Sequence, residues 1–198
     1  MESNPVFDEK VVIQAVLDGQ SWRFGELVVA YQERLTIGLY AMLGNRHDAE
    51  DVAQDAFTTA YQKLRSYECR SSFFTWLHRI AFNQAIDHKR REKRHRRTTF
   101  ESDRGVDLSE DLMKTSSSDS PVTILEREEI RLSIHQALAQ IDAERRAVIT
   151  LRDLQGLNYE EISECLSIPV GTVRSRLHRA RLELKEVLLS RGEWSESQ

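Results

Sequence analysis

The chain has 198 residues, 40% of them hydrophobic and 30% charged, with a formal net charge of −4. A chain of that length holds one domain or two small ones, and its acidic balance confines any nucleic-acid binding to local basic patches. Two distant cysteines, Cys69 and Cys165, without zinc-type spacing, exclude a disulfide framework or a zinc site and fit a reducing cytoplasm.

The start, MESNPVFDEK, is polar and acidic, unlike a signal peptide, and no apolar run is long enough to cross a bilayer, so a cytoplasmic location without membrane insertion is expected. With 3 Pro and 8 Gly and frequent Ala, Leu, Glu and Arg, the composition favours helices, and an all-α fold is expected. Val11, Val12, Ala15 and Val16 give helical rhythm to Phe7–Leu17, which Asp18-Gly19 stops. A longer amphipathic helix runs from Trp22 to Leu43, with Phe24, Leu27, Val28, Tyr31, Leu35, Leu39 and Met42 at threes and fours. Gly44-Asn45 ends it, and Asp48 is the expected N-cap of a helix from Ala49 to Leu64. That helix has an apolar face (Val52, Ala53, Ala56, Phe57, Ala60, Tyr61) and an acidic outer face with Glu50, Asp51, Gln54 and Asp55. Such a face alone reads as a solvated surface.

Ser72 is the expected cap of the next helix, which begins at Phe73 and runs into a basic stretch. Trp76 belongs by spacing to the packed side of this helix. Aromatic rings beside cations are also what single-stranded DNA binding needs, flat faces for unstacked bases and charges for phosphates. From Lys89 to Arg97, seven Lys or Arg stand against one Glu, a phosphate-binding patch or a solvated helix end. Thr98–Ser120 then carries a Ser run and six acids, a composition that builds no core. A flexible linker of that length averages roughly 25–30 Å end to end, enough to seat two DNA-binding units apart on one duplex. Its acids mimic nucleic acid and are suited to a basic channel. A helix over Pro121–Gln140 and another over Ala143–Leu154 follow; Val148, Leu151 and Leu154 are expected behind the last helix, and in the tail only Trp194 to pack.

The most informative stretch is Asn158–Leu184. Ile162 and Leu166 share one helical face, and Pro169 breaks the run. Val173, Leu177, Ala180 and Leu184 then recur at four, three and four, while Arg174, Ser175, Arg176, His178, Arg179 and Arg181 point elsewhere. This is the pattern of a DNA-reading helix-turn-helix, in which Arg forks take guanine edges or phosphates. A solvated Arg face is the alternative, and it leaves four Arg crowded on one element with Glu183 alone to offset them.

DAEDVAQDAFTTAY (Asp48–Tyr61), RSSFFTWLHRIAFNQAIDHKRR (Arg70–Arg91) and LRDLQGLNYEEISECLSIPVGTVRSRLHRAR (Leu151–Arg181) together resemble bacterial sigma-70 factors of the extracytoplasmic-function (ECF) group. The resemblance implies two small helical domains: region 2 over residues 7–97, a linker over 98–120, and region 4 over 121–190. It implies core RNA polymerase as partner, with Asp48, Asp51, Gln54, Asp55 and Phe57 on the surface that docks on the clamp helices of the largest subunit. It implies promoter DNA as the second partner. The single-stranded −10 element falls to Trp76, Arg79, Asn83, Lys89, Arg90 and Arg91, where similar proteins capture a flipped base. The duplex −35 element falls to Tyr159, Glu160, Thr172, Arg174, Ser175, His178, Arg179 and Arg181, with amides at the helix start suited to a phosphate. An inhibitory anti-sigma partner is common in that family, and no residue here marks one. Cys69 departs from the small or polar residue expected in the −10 loop.

An ordinary helix-turn-helix regulator that works without core polymerase explains Leu151–Arg181 equally well. It leaves Asp48–Phe57 and the Trp76–Arg97 cluster without a task. No paired acid and base, nucleophile motif, Gly-rich phosphate loop or metal set points to an enzyme, and no cofactor is expected.

Overall fold

The computed structural model of the chain describes residues 7–98 and 121–191, with the side chains of all of these except 96–98, 121–129 and 131. The acidic stretch 99–120 and Trp194 lie outside the described residues, as do the side chains of Val122 and Leu125. Among the described residues all regular structure is helical.

Each helix begins where local chemistry supplies a cap. Helix α1 (Glu9–Leu17) starts at Asp8, whose carboxylate accepts from the amides of Lys10 and Val11. A single 3₁₀ turn at Ser21–Arg23 leads into α2 (Phe24–Leu43), so Trp22 stands outside the long helix and is 74% exposed. Helix α2 ends on Gly44 at φ 75°, a left-handed cap whose amide donates to the Tyr40 carbonyl. Helix α3 (Arg46–Lys63) is capped by Asn45, not by Asp48 as the sequence had indicated. Asp48 is the third helical residue, and its amide is the donor to Asn45 Oδ1 at 3.0 Å. The side chain one turn earlier simply reaches the free amides first. At the start of α4 (Phe73–Thr98), Ser72 Oγ accepts from the Thr75 amide at 3.1 Å, as expected.

Helices α2, α3 and α4 pack side by side around Leu27, Leu35, Leu39, Met42, Ala56, Phe73, Leu77 and Phe82, all fully buried. Alanines along α3 (Ala49, Ala53, Ala56, Ala60) let it approach its neighbours closely. Helix α1 closes one end through Val12, Ile13 and Val16, and Tyr31 donates to Glu9 Oε2 at 2.7 Å.

The second unit begins with α5 (Pro121–Gln140) and α6 (Ala143–Ile149), the latter capped by Asp142. A π turn, Thr150–Leu154, extends α6. It carries Leu151 into the core but leaves Leu154 47% exposed, against the expectation that Leu154 packs behind the last helix. The wider turn rotates the residues that follow away from the 3.6-residue phase. Helices α7 (Tyr159–Leu166) and α8 (Val170–Ser190) complete the unit around Val148, Leu151, Ile162, Cys165, Val173, Leu177 and Ala180.

The two helical units expected from the sequence pack against each other and share one continuous core. Helix α7 and α6 lie against α4, and α5 against α2. The seam holds buried polar groups. Arg146 is 6% exposed and donates to the carbonyls of Met42 (2.8 Å), Ala139 (2.5 Å) and Ile141 (2.8 Å), tying the carboxyl end of α2 to that of α5. Burial lowers its pKa to about 10, so it stays charged at neutral pH. Gln155, also buried, offers its carbonyl to Arg34 at 2.5 Å, and its carboxamide lies 3.3 Å from His78 Nε2. His78 Nδ1 pairs with the Phe74 carbonyl at 2.9 Å.

Two outcomes are expected from this seam. Burial depresses the His78 pKa from 6.5 to about 4, so the unfolded chain binds the proton first as pH falls. The stability from neutral His78 is complete above its unfolded pKa and is lost as pH drops toward the folded one. Urea unfolding at about pH 7 and about pH 5 should differ by about 2 kcal/mol, and His78→Leu should flatten the difference. Arg146→Met should cost about 2–4 kcal/mol in the same assay, because three carbonyls lose a charged donor; Arg146→Lys, with one ammonium for three acceptors, should recover only part.

Candidate nucleic-acid interface

The helix-turn-helix is set by a few local contacts. Asn158 and Glu161 form a reciprocal capping box at the start of α7, each side chain accepting from the other's amide at 2.8 Å. Ser167 then adopts a left-handed conformation (φ 53°), and Ser163 Oγ donates to the Ile168 carbonyl at 2.6 Å. Pro169 opens α8, its carbonyl accepting from the Thr172 and Val173 amides. Val173, Leu177 and Ala180 are buried, which turns Arg174, Ser175, His178 and Arg179 outward on one exposed face. Arg174 lies over the Tyr159 ring at 5.8 Å, and Arg152 lies over the same ring at 5.2 Å. Glu160 is exposed beside Tyr159, and Thr172 is half-buried in the first turn of α8.

Arg176 and Arg181 leave this face. Arg176 meets Glu144 at 2.5 Å, and Arg181 makes a two-pronged pair with Asp153 at 2.6 and 3.0 Å. The structure therefore does not bring Arg181 together with the other proposed −35 residues. Exposed ion pairs of this kind are weak and open readily.

On α4, Trp76, Arg79, Asn83 and Arg90 fall at intervals of three, four and seven, one stripe along the helix. Trp76 is half-buried in an aromatic cluster, with ring centroids 5.1 Å from Tyr67 and 5.8 Å from Phe73. Tyr67 donates to the Ser71 carbonyl at 2.6 Å and so braces the loop before α4, and burial pushes its pKa up to about 12. In that loop Cys69 is exposed at φ 52°, a left-handed position that asparagine or glycine takes with less strain. Arg79 and Asn83 are exposed, and Asn83 Nδ2 donates to the Cys165 carbonyl at 3.4 Å. Lys89 pairs with Glu92 at 2.8 Å, Arg90 pairs with Glu144 at 2.7 Å, and Arg91 is exposed.

On α3, Asp51, Gln54 and Asp55 are exposed in a row, whereas Asp48 is half-buried 4.0 Å from His88. Phe57 is 7% exposed and does not reach the surface as a free contact. It helps floor an apolar groove of about 520 Å³ between α2 and α3, with Val28, Gln32, Gln54 and Tyr61 along its sides. Sequence spacing missed this groove, since it requires two helices to be placed side by side. Tyr61, 45% exposed along its side, was its available signal, a large ring only partly taken into the core. Among the described residues, no group of three or more His, Cys, Asp or Glu is placed to hold a metal, and no helix is long and apolar enough to cross a membrane.

A helix-turn-helix with an Arg-bearing face, joined to an aromatic and basic helix suited to single strands, defines a promoter-recognising protein. The description "Sigma-70 region 2" matches residues 27–95, and "Sigma-70, region 4" matches residues 131–184. The sigma-H factor of RNA polymerase from Pseudomonas aeruginosa is 33% identical over 180 residues, 91% of this chain and 93% of its own length. The ECF factor SigW of Bacillus subtilis is 35% identical, covering 89% and 94%. The ECF sigma-E factor of Escherichia coli K12 is 34% identical, covering 87% and 90%. In fold, the chain is similar to the sigma factor RpoE of Bartonella quintana, solved with the anti-sigma factor NepR. That likeness has a TM-score of 0.64 and 23% identity, and covers 83% of this chain and 96% of that one. The chain belongs to the sigma-70 family, in its ECF group, and works as a sigma factor in transcription initiation.

Arg174→Ala is expected to weaken binding to a cognate −35 duplex by about 1–3 kcal/mol in a fluorescence-anisotropy titration, with a smaller loss on scrambled DNA. An equal loss on both sequences would reassign Arg174 to a phosphate.

Proposed function

We propose a division of labour along the chain. Residues 7–97 bind core polymerase and open the −10 element, residues 121–190 read the −35 element, and residues 98–120 connect them. The observation that carries it is the coexistence in one chain of two chemically distinct DNA faces: exposed Arg174, Ser175, His178 and Arg179 on α8, and the Trp76–Arg90 stripe on α4. The α8 face has the donors to read base edges in a major groove. His178, at the centre of that face, tunes sequence preference. On α4, an aromatic cluster, the Asn83 amide and several cations suit an unstacked base and its backbone. Asp51, Gln54 and Asp55, with the apolar α2–α3 groove beside them, form the polymerase-facing side, where Phe57 shapes the surface from below.

The protein acts where DNA and polymerase meet, the bacterial cytoplasm, and leaves the chemistry of chain synthesis to polymerase. The Bartonella quintana sigma factor was solved with an anti-sigma factor, and a partner of that kind is proposed for this chain too. A regulator independent of polymerase leaves the α3 face and α4 stripe unused and is the weaker reading.

The test is pull-down of core RNA polymerase by the purified chain, followed by promoter-dependent transcription with that core. Binding with specific initiation is the expected result; duplex binding without core binding would overturn the proposal. Asn83→Ala should lower promoter opening, read by permanganate footprinting, while core binding is kept. Loss of core binding would instead report a folding defect.

A further inference from the structure

One ring joins three elements around the reading helix. Tyr159, the first residue of α7, is half-buried and packs against the core. Two guanidinium groups lie over it, Arg152 from the π turn at 5.2 Å and Arg174 from α8 at 5.8 Å. Arg152 is itself anchored. Its Nη1 donates to the Leu157 carbonyl at 2.8 Å, and its own carbonyl accepts from the Gly156 amide at 3.2 Å. Gly156, at φ 73°, turns the chain back so that Arg152 and Tyr159 meet. The π turn that leaves Leu154 exposed thus carries Arg152 to the ring. Arg174 stands near the start of α8, where a reading helix presents side chains to base edges.

We infer that Tyr159 is a positioning residue for −35 recognition, its ring holding the Arg174 guanidinium in the reading rotamer before DNA arrives while Arg152 fixes the ring. The inference rests on the proposed assignment of Arg174 to a −35 base edge. It gives the Tyr159 side chain a task distinct from that of its backbone amide, which is suited to a phosphate. An arginine on an exposed helix face spreads over many rotamers, and ordering it costs free energy at the moment of binding. An electron-rich ring face attracts the guanidinium and removes part of that cost beforehand. Because the ring acts through Arg174, it sharpens discrimination between sequences and adds little on a duplex that Arg174 cannot read.

The experiment uses the full chain and two duplexes: one selected by the wild-type chain from a randomised −35 pool, and the same duplex with that element scrambled. Tyr159→Phe keeps the ring and loses the hydroxyl, whereas Tyr159→Leu loses the ring. Both are made in the wild-type and Arg174→Ala backgrounds, with anisotropy reading affinity and circular dichroism reading helix content. Expected are wild-type binding for Tyr159→Phe and a loss of about two- to fivefold for Tyr159→Leu on the selected duplex, the range of an exposed cation–π contact. The loss should be smaller on the scrambled duplex and absent in the Arg174→Ala background. An equal Tyr159→Leu loss on both duplexes, or one that persists without Arg174, would overturn the positioning role. Tyr159→Phe binding as poorly as Tyr159→Leu would overturn it in favour of the hydroxyl, and tighter Tyr159→Leu binding would show that the ring withholds Arg174. If Tyr159→Leu loses helix content, phenylalanines of increasing fluorination at position 159 decide. Their shape is nearly constant, and stepwise weaker binding is expected as fluorine drains the ring face. Constant affinity along that series would overturn the role. The Arg174 assignment fails separately, by an equal Arg174→Ala loss on both duplexes.

Discussion

The register of the two helical units depends on the burial of a few polar groups between them. Arg146 keeps its charge inside the protein because three backbone carbonyls, two of them at helix carboxyl ends, surround its guanidinium. Gln155 and His78 meet a few residues further along the seam, where Gly38 leaves room for the Gln155 side chain. Apolar surfaces would have glued α4 to region 4 in several registers. Directional donors and acceptors permit one, because any slip leaves a charge or an amide unpaired in the interior. That single register aligns Asn83 with the end of α7 and puts Glu144 between two arginines.

Charge distribution explains how a net acidic protein handles a polyanion. The acids collect on α3 and in the 99–120 stretch, whereas the cations line α4 and α8. Several cations are matched inside the molecule: Lys89 with Glu92, Arg181 with Asp153, Arg145 with Glu183. These pairs sit at or near the surface and hold little energy. They lower the density of free positive charge in the unbound protein without removing any cation permanently.

Much of the fold was legible because helix periodicity and capping are local. The buried face of α8, the Ser72 cap and the turn at Pro169 all follow from residues within a turn or two of one another. The N-cap of α3 was misplaced by one turn because Asn45 and Asp48 are both good caps, and only the path of the preceding chain decides between them. Leu154 was misread because a π turn shifts phase without any residue that announces it. The seam was out of reach for a different reason. Gly38, His78, Arg146 and Gln155 are unremarkable in isolation, and they gain meaning only when segments up to 121 positions apart are brought together. The site shows the same division. The exposed face of α8 could be read from spacing, but the placement of Phe57 beneath a groove and of Arg176 and Arg181 in ion pairs could not.

The left-handed Ser167 has a consequence for how such proteins diversify. One dihedral, with the Ser163–Ile168 hydrogen bond and the Pro169 carbonyl, sets the angle between α7 and α8. Arg174, Ser175, His178 and Arg179 take no part in that turn and bury nothing. The orientation of the reading helix and the identity of its reading residues are therefore independent variables. With the −35 role proposed for them, a lineage can rewrite the four outward positions, and with them the set of promoters recognised, while the hinge that aims them stays as it is.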